Sequence, residues 1–235
     1  LSHHRLIHQI YLSDEETNYP KEVLLNQEKF TENHCIWDTH ETRVFLENVY
    51  PNKEVIKAYD RLRPGAFKAD LARYCIINHF GGYYVDATVQ NFKPFETFEC
   101  DMVVFRDGLT LECFSSWHVS QGVFYSIPNN PVLIDCIERC IQNIQNEYYG
   151  KHPTWITGPG PFGQSLAVHG SDIKLEVGHL KWRMFRRNSF ILPRGGVAGR
   201  GKRRFKRFYP FNALTKSPRG FNNYWDLYTS REVFQ

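Results

Sequence analysis

Apolar positions along the chain change their period several times, and each change marks an element. Arg5-Leu-Ile-His-Gln-Ile-Tyr-Leu12 is β-branched and aromatic, which predicts a first strand. Ser13-Asp14-Glu15-Glu16 supplies a cap or turn, 20–32 is loosely helical, and Cys35-Ile36-Trp37 reads as a short second strand. A helical stretch from Glu41 to Tyr50 follows. Pro64 suits the first turn of another helix, along which Phe67, Leu71, Tyr74 and Asn78 share a face flanked by Ala66, Cys75 and Ile77. Gly81-Gly82 stops that helix by admitting positive φ, and Tyr83 to Asp86 continues as a strand. Asp101 to Phe105 and Gly122 to Ser126 are further strands, and Pro131 to Tyr149 is a helix with a broad apolar face. Thr157-Gly-Pro-Gly-Pro161 is a rigid loop before a short helix over 163–169, and Ile173 to Val177 is a last strand. Alternating strands and helices predict an α/β fold with a central mixed sheet flanked by helices.

Composition agrees with that picture and narrows it. Of 235 residues, 42% are apolar and 15% aromatic, enough for a full-sized core, which excludes global disorder. No apolar run approaches the ~20 residues of a spanning helix, and Leu1 to Arg5 carries no hydrophobic signal region. Six cysteines occur without a C-x-x-C pair, so they read as reduced core thiols. With no N-x-S/T site, they favour a cytoplasmic location. His8, His79 and His118 share no ligand spacing and read as ordinary histidines.

Charge is distributed unevenly. Residues 1–176 hold 15 Lys/Arg against 23 Asp/Glu, whereas 177–225 hold 13 Lys/Arg and no acid. A basic C-terminal fifth on an acidic body implies an anionic partner at one location: phosphate on a nucleotide, a lipid or a nucleic acid.

The chemistry concentrates between Ala66 and Val89. Asp70 and Arg73 stand one helical turn apart on a single face, and Asp86 ends the strand after the double glycine. Ligands of open α/β sheets bind beyond the carboxyl ends of strands, so two acids and an arginine there suit a charged, hydroxyl-rich ligand. A nucleotide sugar has that character.

The same residues carry a family resemblance. The run A-D-x-x-R-Y, then G-G-x-Y-x-D-A-T, resembles the GT-A glycosyltransferases with a DXD motif. In particular it is similar to the mannosyl- and galactosyltransferase family that includes capsular-polysaccharide synthesis proteins. Ile7-His8-Gln9-Ile10-Tyr11 looks like that family's opening strand, Thr157-Gly158-Pro159 like its T-G-P loop, and Asn222-Asn-Tyr-Trp225 loosely like its C-terminal segment. The resemblance implies a single GT-A-like domain over 1–235, with the basic segment 181–225 as lid or docking region. It implies sugar transfer from a UDP- or GDP-sugar donor to a glycan or lipid-linked glycan acceptor in surface polysaccharide synthesis, with retention of configuration. Asp70, Arg73 and Asp86 would be catalytic, and Tyr11, Gly82, Thr88 and Trp225 would join them around the donor. Tyr11 would lie on the base and Trp225 reach the β-phosphate.

Position 88 departs from the pattern. Where the family has its second acid, the main ligand of Mn²⁺ or Mg²⁺, this chain has Thr88, which leaves Asp86 as the metal residue of a weak or absent site. Three outcomes follow: a weakly held metal, a metal-free enzyme, or a catalytically silent homologue that only binds sugar nucleotides. In the metal-poor cases Arg200, Lys202 and Arg203, within the glycine-rich run Arg194 to Arg207, are candidates for neutralising the leaving diphosphate. The same run suits peripheral docking on the anionic inner face of a membrane. No lone carboxylate can be assigned as an inverting base from the sequence; Asp107 and Glu112 lie in the region where one would be sought. The rival class is a nucleic-acid-binding protein that grips phosphates through 181–207, with Phe205, Phe208 and Tyr209 stacking on bases.

Overall fold

The computed structural model describes residues 6–13, 19, 24, 34–50, 52–87, 89, 99–107, 117–181, 189–191, 197–200 and 224–235. Among them the sheet has eight strands: β1 Ile7–Ile10, β2 His34–Trp37, β3 Gly82–Val85, β4 Met102–Asp107, β5 Val119–Ser126, β6 Leu175–Lys181, β7 Ser189–Ile191 and β8 Val197–Arg200. Their order is β2-β1-β3-β5-β4-β6-β7-β8. The β1 strand pairs in parallel with β2 and β3, and β4 with β6, whereas β5 runs antiparallel to both its neighbours. The expected mixed α/β sheet is therefore present.

Helices α1 (Thr39–Val49), α2 (Glu54–Arg61), α3 (Gly65–Phe80), α4 (Pro131–Gln145), α5 (Pro159–His169) and α6 (Tyr224–Thr229) complete the described fold. The α1 helix begins two residues before its predicted start because Asp38 caps it: its carboxylate accepts from the Glu41 amide, and Glu41 reaches back to the Asp38 amide. The α2 helix falls in a stretch to which no element is assigned above; it opens behind Lys53, a non-glycine residue at φ 58°, and buries Val55, Ile56, Ala58 and Tyr59. The α4 helix stops at Gln145 rather than Tyr149, before Glu147 enters the left-handed region at φ 49°. The α5 helix starts at Pro159, within the loop that was expected to precede it, because proline fits a first helical turn. The strand expected over Ile173 to Val177 is shifted to Leu175–Lys181, where it pairs with all of β4. The stretch 20–32 lies outside the described residues except for Leu24.

Almost every face of α3 is apolar, so the helix is buried all round rather than amphipathic. Leu71, Ala72, Tyr74, Cys75, Ile76 and Ile77 are fully enclosed among the sheet and the other helices. Alternation along the strands sends Ile7, Tyr83, Val85, Val103, Phe105, Val123 and Tyr125 into a second, smaller cluster on the opposite face. Gly81 (φ 66°) makes the turn from α3 into β3, and a Cβ there would lie 2.7 Å from Pro128 Cδ, so backbone conformation and space both demand glycine. Cys75, Cys136 and Cys140 are buried free thiols and Cys35 and Cys100 half-buried ones, as expected, while Cys113 lies outside the described residues.

Candidate active site

The chain leaves β1, forms β2 on one side of it, and returns to place β3 on the other. Neighbouring parallel strands thus feed opposite directions between β1 and β3, which opens a crevice past their carboxyl ends. Ile10 ends one of these strands and Asp86 follows the other. Above them the first half of α3 closes a cleft of about 300 Å³, whose lining includes Phe67, Asp70, Arg73, Asp86, Gln121 and Thr154.

Asp70, Arg73 and Asp86 meet there in one bonded cluster. Arg73 Nη2 donates to Asp70 Oδ1 at 2.6 Å, and its Nη1 donates to Asp86 Oδ1 at 3.2 Å and to the Gln121 carbonyl at 3.1 Å. Nε donates to the Ala69 carbonyl. The Asp70 and Arg73 side chains are 9% and 6% exposed and that of Asp86 37%, so the cluster is anchored inside and opens to solvent through Asp86. The helical spacing therefore gives more than a surface ion pair: the pair is buried and its cation is shared with a second acid.

Tyr84, Gln121 and Thr157 complete the cluster. The Tyr84 hydroxyl donates to Asp86 Oδ1 at 3.0 Å, and Arg73 lies over its ring, 4.5 Å from the centroid. Gln121 Nε2 donates to Asp70 Oδ1 at 3.0 Å, while its Oε1 accepts from the Tyr74 hydroxyl. Thr157 Oγ1 donates to Asp70 Oδ2 at 3.3 Å. Thr157 carried a signal through the T-G-P resemblance. Tyr84 stands in the G-G-x-Y-x-D run, though no role was read for it there, and Gln121 carried no signal, because its role depends on the β3–β5 register, which places Val85 opposite Val123.

Burial pushes the Asp70 carboxyl up to about 6 against the pull of Arg73; Asp86 adds to the rise, and the bonds from Gln121 and Thr157 oppose it. Burial also disfavours the charge on Arg73, but Tyr84, Asp70 and Asp86 together hold its guanidinium above its ordinary value. Burial raises the Tyr84 hydroxyl well above its usual range, which keeps it a donor.

The other expected site residues are placed differently. Gly82 opens β3, at the end of that strand remote from Asp86, and pairs with Ser126. Tyr11 is half-buried, donates its amide to the Trp37 carbonyl and meets the Tyr19 ring edge-on at 6.1 Å. Trp225 is 47% exposed against His152 and Tyr228, and its neighbour Tyr224, packed on Phe67, is the residue that lines the cleft. None of Tyr11, Gly82 and Trp225 lines it. Thr88, Glu112, Lys202, Arg203 and the side chains of Asp107 and Arg200 lie outside the described residues.

Comparison with known proteins points to the same part of the chain. Residues 7–104 match the family described as the glycosyltransferase sugar-binding region containing DXD motif. An uncharacterized glycosyltransferase, L373, of Acanthamoeba polyphaga mimivirus is 31% identical over 137 residues, which cover 54% of this chain and 51% of that protein. The chain thus spans about half the length of this relative. The PaToxG glycosyltransferase structure aligns over 71% of this chain and 69% of its own, with 18% identity and a TM-score of 0.48. The matched family and the relative are both described as glycosyltransferases, and the matched region contains Asp70, Arg73 and Asp86.

Proposed function

We propose that this protein is a GT-A-type glycosyltransferase that binds a nucleotide sugar over the ends of β1 and β3 and passes its sugar to a hydroxyl of a glycan or lipid-linked glycan. The observation that supports this most is the buried Asp70–Arg73–Asp86 cluster opening into the cleft. A cluster tied at so many points cannot swing, so a ligand meets acceptors and donors already oriented. Among the described residues Asp70 Oδ2 accepts only from Thr157, which leaves it acceptor capacity for a sugar hydroxyl. The second N–H of Arg73 Nη2 is, among the described residues, the one left for a ligand. Asp86, half outside, is placed for the ribose or the sugar.

The leaving diphosphate needs countercharge that this lining does not offer. Arg73 is the only cation that lines the cleft among the described residues, and two carboxylates hold it. Asp86 Oδ2 faces Gly122 and accepts no hydrogen bond among the described residues, so it fits as one ligand of a divalent ion, with the donor's phosphates among the others. Among the described residues no group of three His, Cys, Asp or Glu side chains holds a metal unaided. Such an ion, when bound, supplies positive charge at the breaking bond; Arg200, Lys202 and Arg203 are the protein's own candidates for the same task. The capsular-polysaccharide resemblance supports a role in surface polysaccharide synthesis with retention, and the basic segment 181–225 supports docking at a membrane face. Among the described residues no helix is long and apolar enough to cross a membrane.

The test is thermal shift and donor turnover with UDP-, GDP- and CMP-linked sugars, with and without Mn²⁺. Stabilisation by one donor class, abolished in Asp86→Ala, is expected. Failure of every donor to stabilise the protein, together with an unchanged Asp86→Ala variant, refutes the proposal. Binding without turnover identifies the silent homologue, and a salt-dependent shift with oligonucleotides alone identifies the nucleic-acid binder.

A further inference from the structure

A second line of side chains reaches the Asp86 turn from behind the sheet. Ile7 pairs with His34 on one side and Tyr83 on the other, so alternation places Gln9 and His34 on the face of Ile7, Tyr83 and Val85, away from α3. The β1–β3 pairing stops at His8↔Tyr84, before the strand reaches Asp86. On the β5 side the Asp86 amide donates to the Gly122 carbonyl at 2.8 Å. Its carbonyl accepts from the Val89 amide at 2.8 Å, which closes the turn, and from Gln9 Nε2 at 3.1 Å. The Gln9 side chain thus stands in for the backbone rung that the diverging strands cannot make.

The orientation of that amide follows by elimination. A carbonyl only accepts, so the Gln9 NH₂ must face Asp86 and its Oε1 must face away. His34 Nε2 lies 2.7 Å from Oε1 and must therefore carry a proton. The buried His34 Nδ1 has no hydrogen-bond partner among the described residues and carries the lone pair of the neutral ring.

We propose that Gln9 and His34 are positioning residues for Asp86: His34 on β2 fixes the Gln9 amide, and Gln9 ties the donor-binding turn to β1. Neither touches the cleft, and both act on a ligand only through Asp86. The inference rests on the donor-binding reading given above.

The experiment measures dissociation constants and turnover for UDP-glucose, UDP-galactose and GDP-mannose in wild type, Gln9→Met, His34→Ala and His34→Gln, well below each melting temperature. The His34 tautomer is read in parallel by ¹⁵N NMR. Loss of either link is expected to weaken donor binding about threefold to tenfold, the span of one hydrogen bond. Turnover falls with it, and His34→Gln, whose amide still donates, recovers part of the loss. A merely structural role would lower the melting temperature and leave both constants unchanged. Wild-type binding with unaltered constants in Gln9→Met and His34→Ala overturns the inference, as does a proton on His34 Nδ1. A wild-type protein that binds none of the donors overturns the functional reading instead, and the tautomer then decides the hydrogen-bond chain alone.

Discussion

Replacing Arg73 by methionine removes the one cation that lines the site among the described residues, beside two carboxylates, and its effect depends on pH in a predictable direction. Methionine keeps most of the buried stem, so lost packing is a minor part of the change. Asp70, 9% exposed in the present protein, is then left with Gln121 and Thr157 as its donors among the described residues. Breaking a buried ion pair on one side costs about 3–5 kcal/mol, and the two remaining donors place this case toward the lower end. In a protein of this size each kcal/mol moves the melting temperature by about 2–4 °C, so a fall of roughly 6–15 °C is expected near pH 8. Burial already raises Asp70 to about 6 with Arg73 present. Without the arginine the carboxyl titrates higher still, and the folded state takes up a proton that the unfolded chain, at its ordinary carboxylate value, does not. Stability tied to a raised carboxyl is present at low pH and lost as pH rises through the folded value. The deficit of the variant should therefore shrink by about 1–3 kcal/mol between pH 8 and pH 5.5. Scanning calorimetry or urea unfolding of both proteins at the two pH values measures it. A deficit below about 1 kcal/mol, or one that is equal at both pH values, refutes the view that Arg73 holds a buried charge in place.

Other perturbations test other parts of the arrangement. Burial lowers both His8 and His34 to about 4, so their contribution to stability is complete above about pH 6.5 and lost as pH falls towards 4. For the enclosed His8 the loss is about 3 kcal/mol, and His8→Phe should flatten the acid limb of the unfolding profile. Gly122→Ala places a Cβ 2.6 Å from Asp86 Oδ2; displacement of that carboxylate should lower donor turnover at least about tenfold while melting shifts by only a few degrees. Equal donor turnover in the alanine variant would show that Asp86 need not stay where it is. Thr88→Asp restores the acid that the DXD pattern carries and should strengthen the dependence of donor binding on Mn²⁺, read by titrating the ion against a fixed donor concentration.

What the sequence revealed and what it hid divide along physical lines. Asp70 and Arg73 could be paired because helical spacing is local, and Asp86 could be placed because Gly81-Gly82 marks the change from helix to strand. Gln121 could not be found, since nothing near it in sequence shows that β5 inserts antiparallel between β3 and β4. Gln9 was seen as part of an opening strand, but its bond to Asp86 spans 77 positions of sequence and depends on which strand becomes the neighbour of β1. The α2 helix was missed because it opens on a lysine in the left-handed region and not on a capping side chain. Trp225 was expected at the phosphate, yet the turn of α6 brings Tyr224 to the cleft and leaves Trp225 beside His152.

The design of the cluster bears on why it exists. A buried arginine between two acids gives little net stability, because desolvation offsets much of the attraction, and apolar residues of similar volume often serve a fold as well or better. Stability alone would therefore favour the pair Asp70→Leu with Arg73→Met, which should recover most of what Arg73→Met loses. Gln121 and Thr157 would then have lost the carboxylate they now orient, and Tyr84 the guanidinium over its ring. Their present alignment stabilises one geometry of the acids, with Asp70 inside and Asp86 at the mouth. A ligand bearing hydroxyls gains from acceptors that need no reorganisation on binding, whereas the folded state alone does not. A double variant that folds as well as the wild type but binds no nucleotide sugar would locate the value of the cluster in recognition.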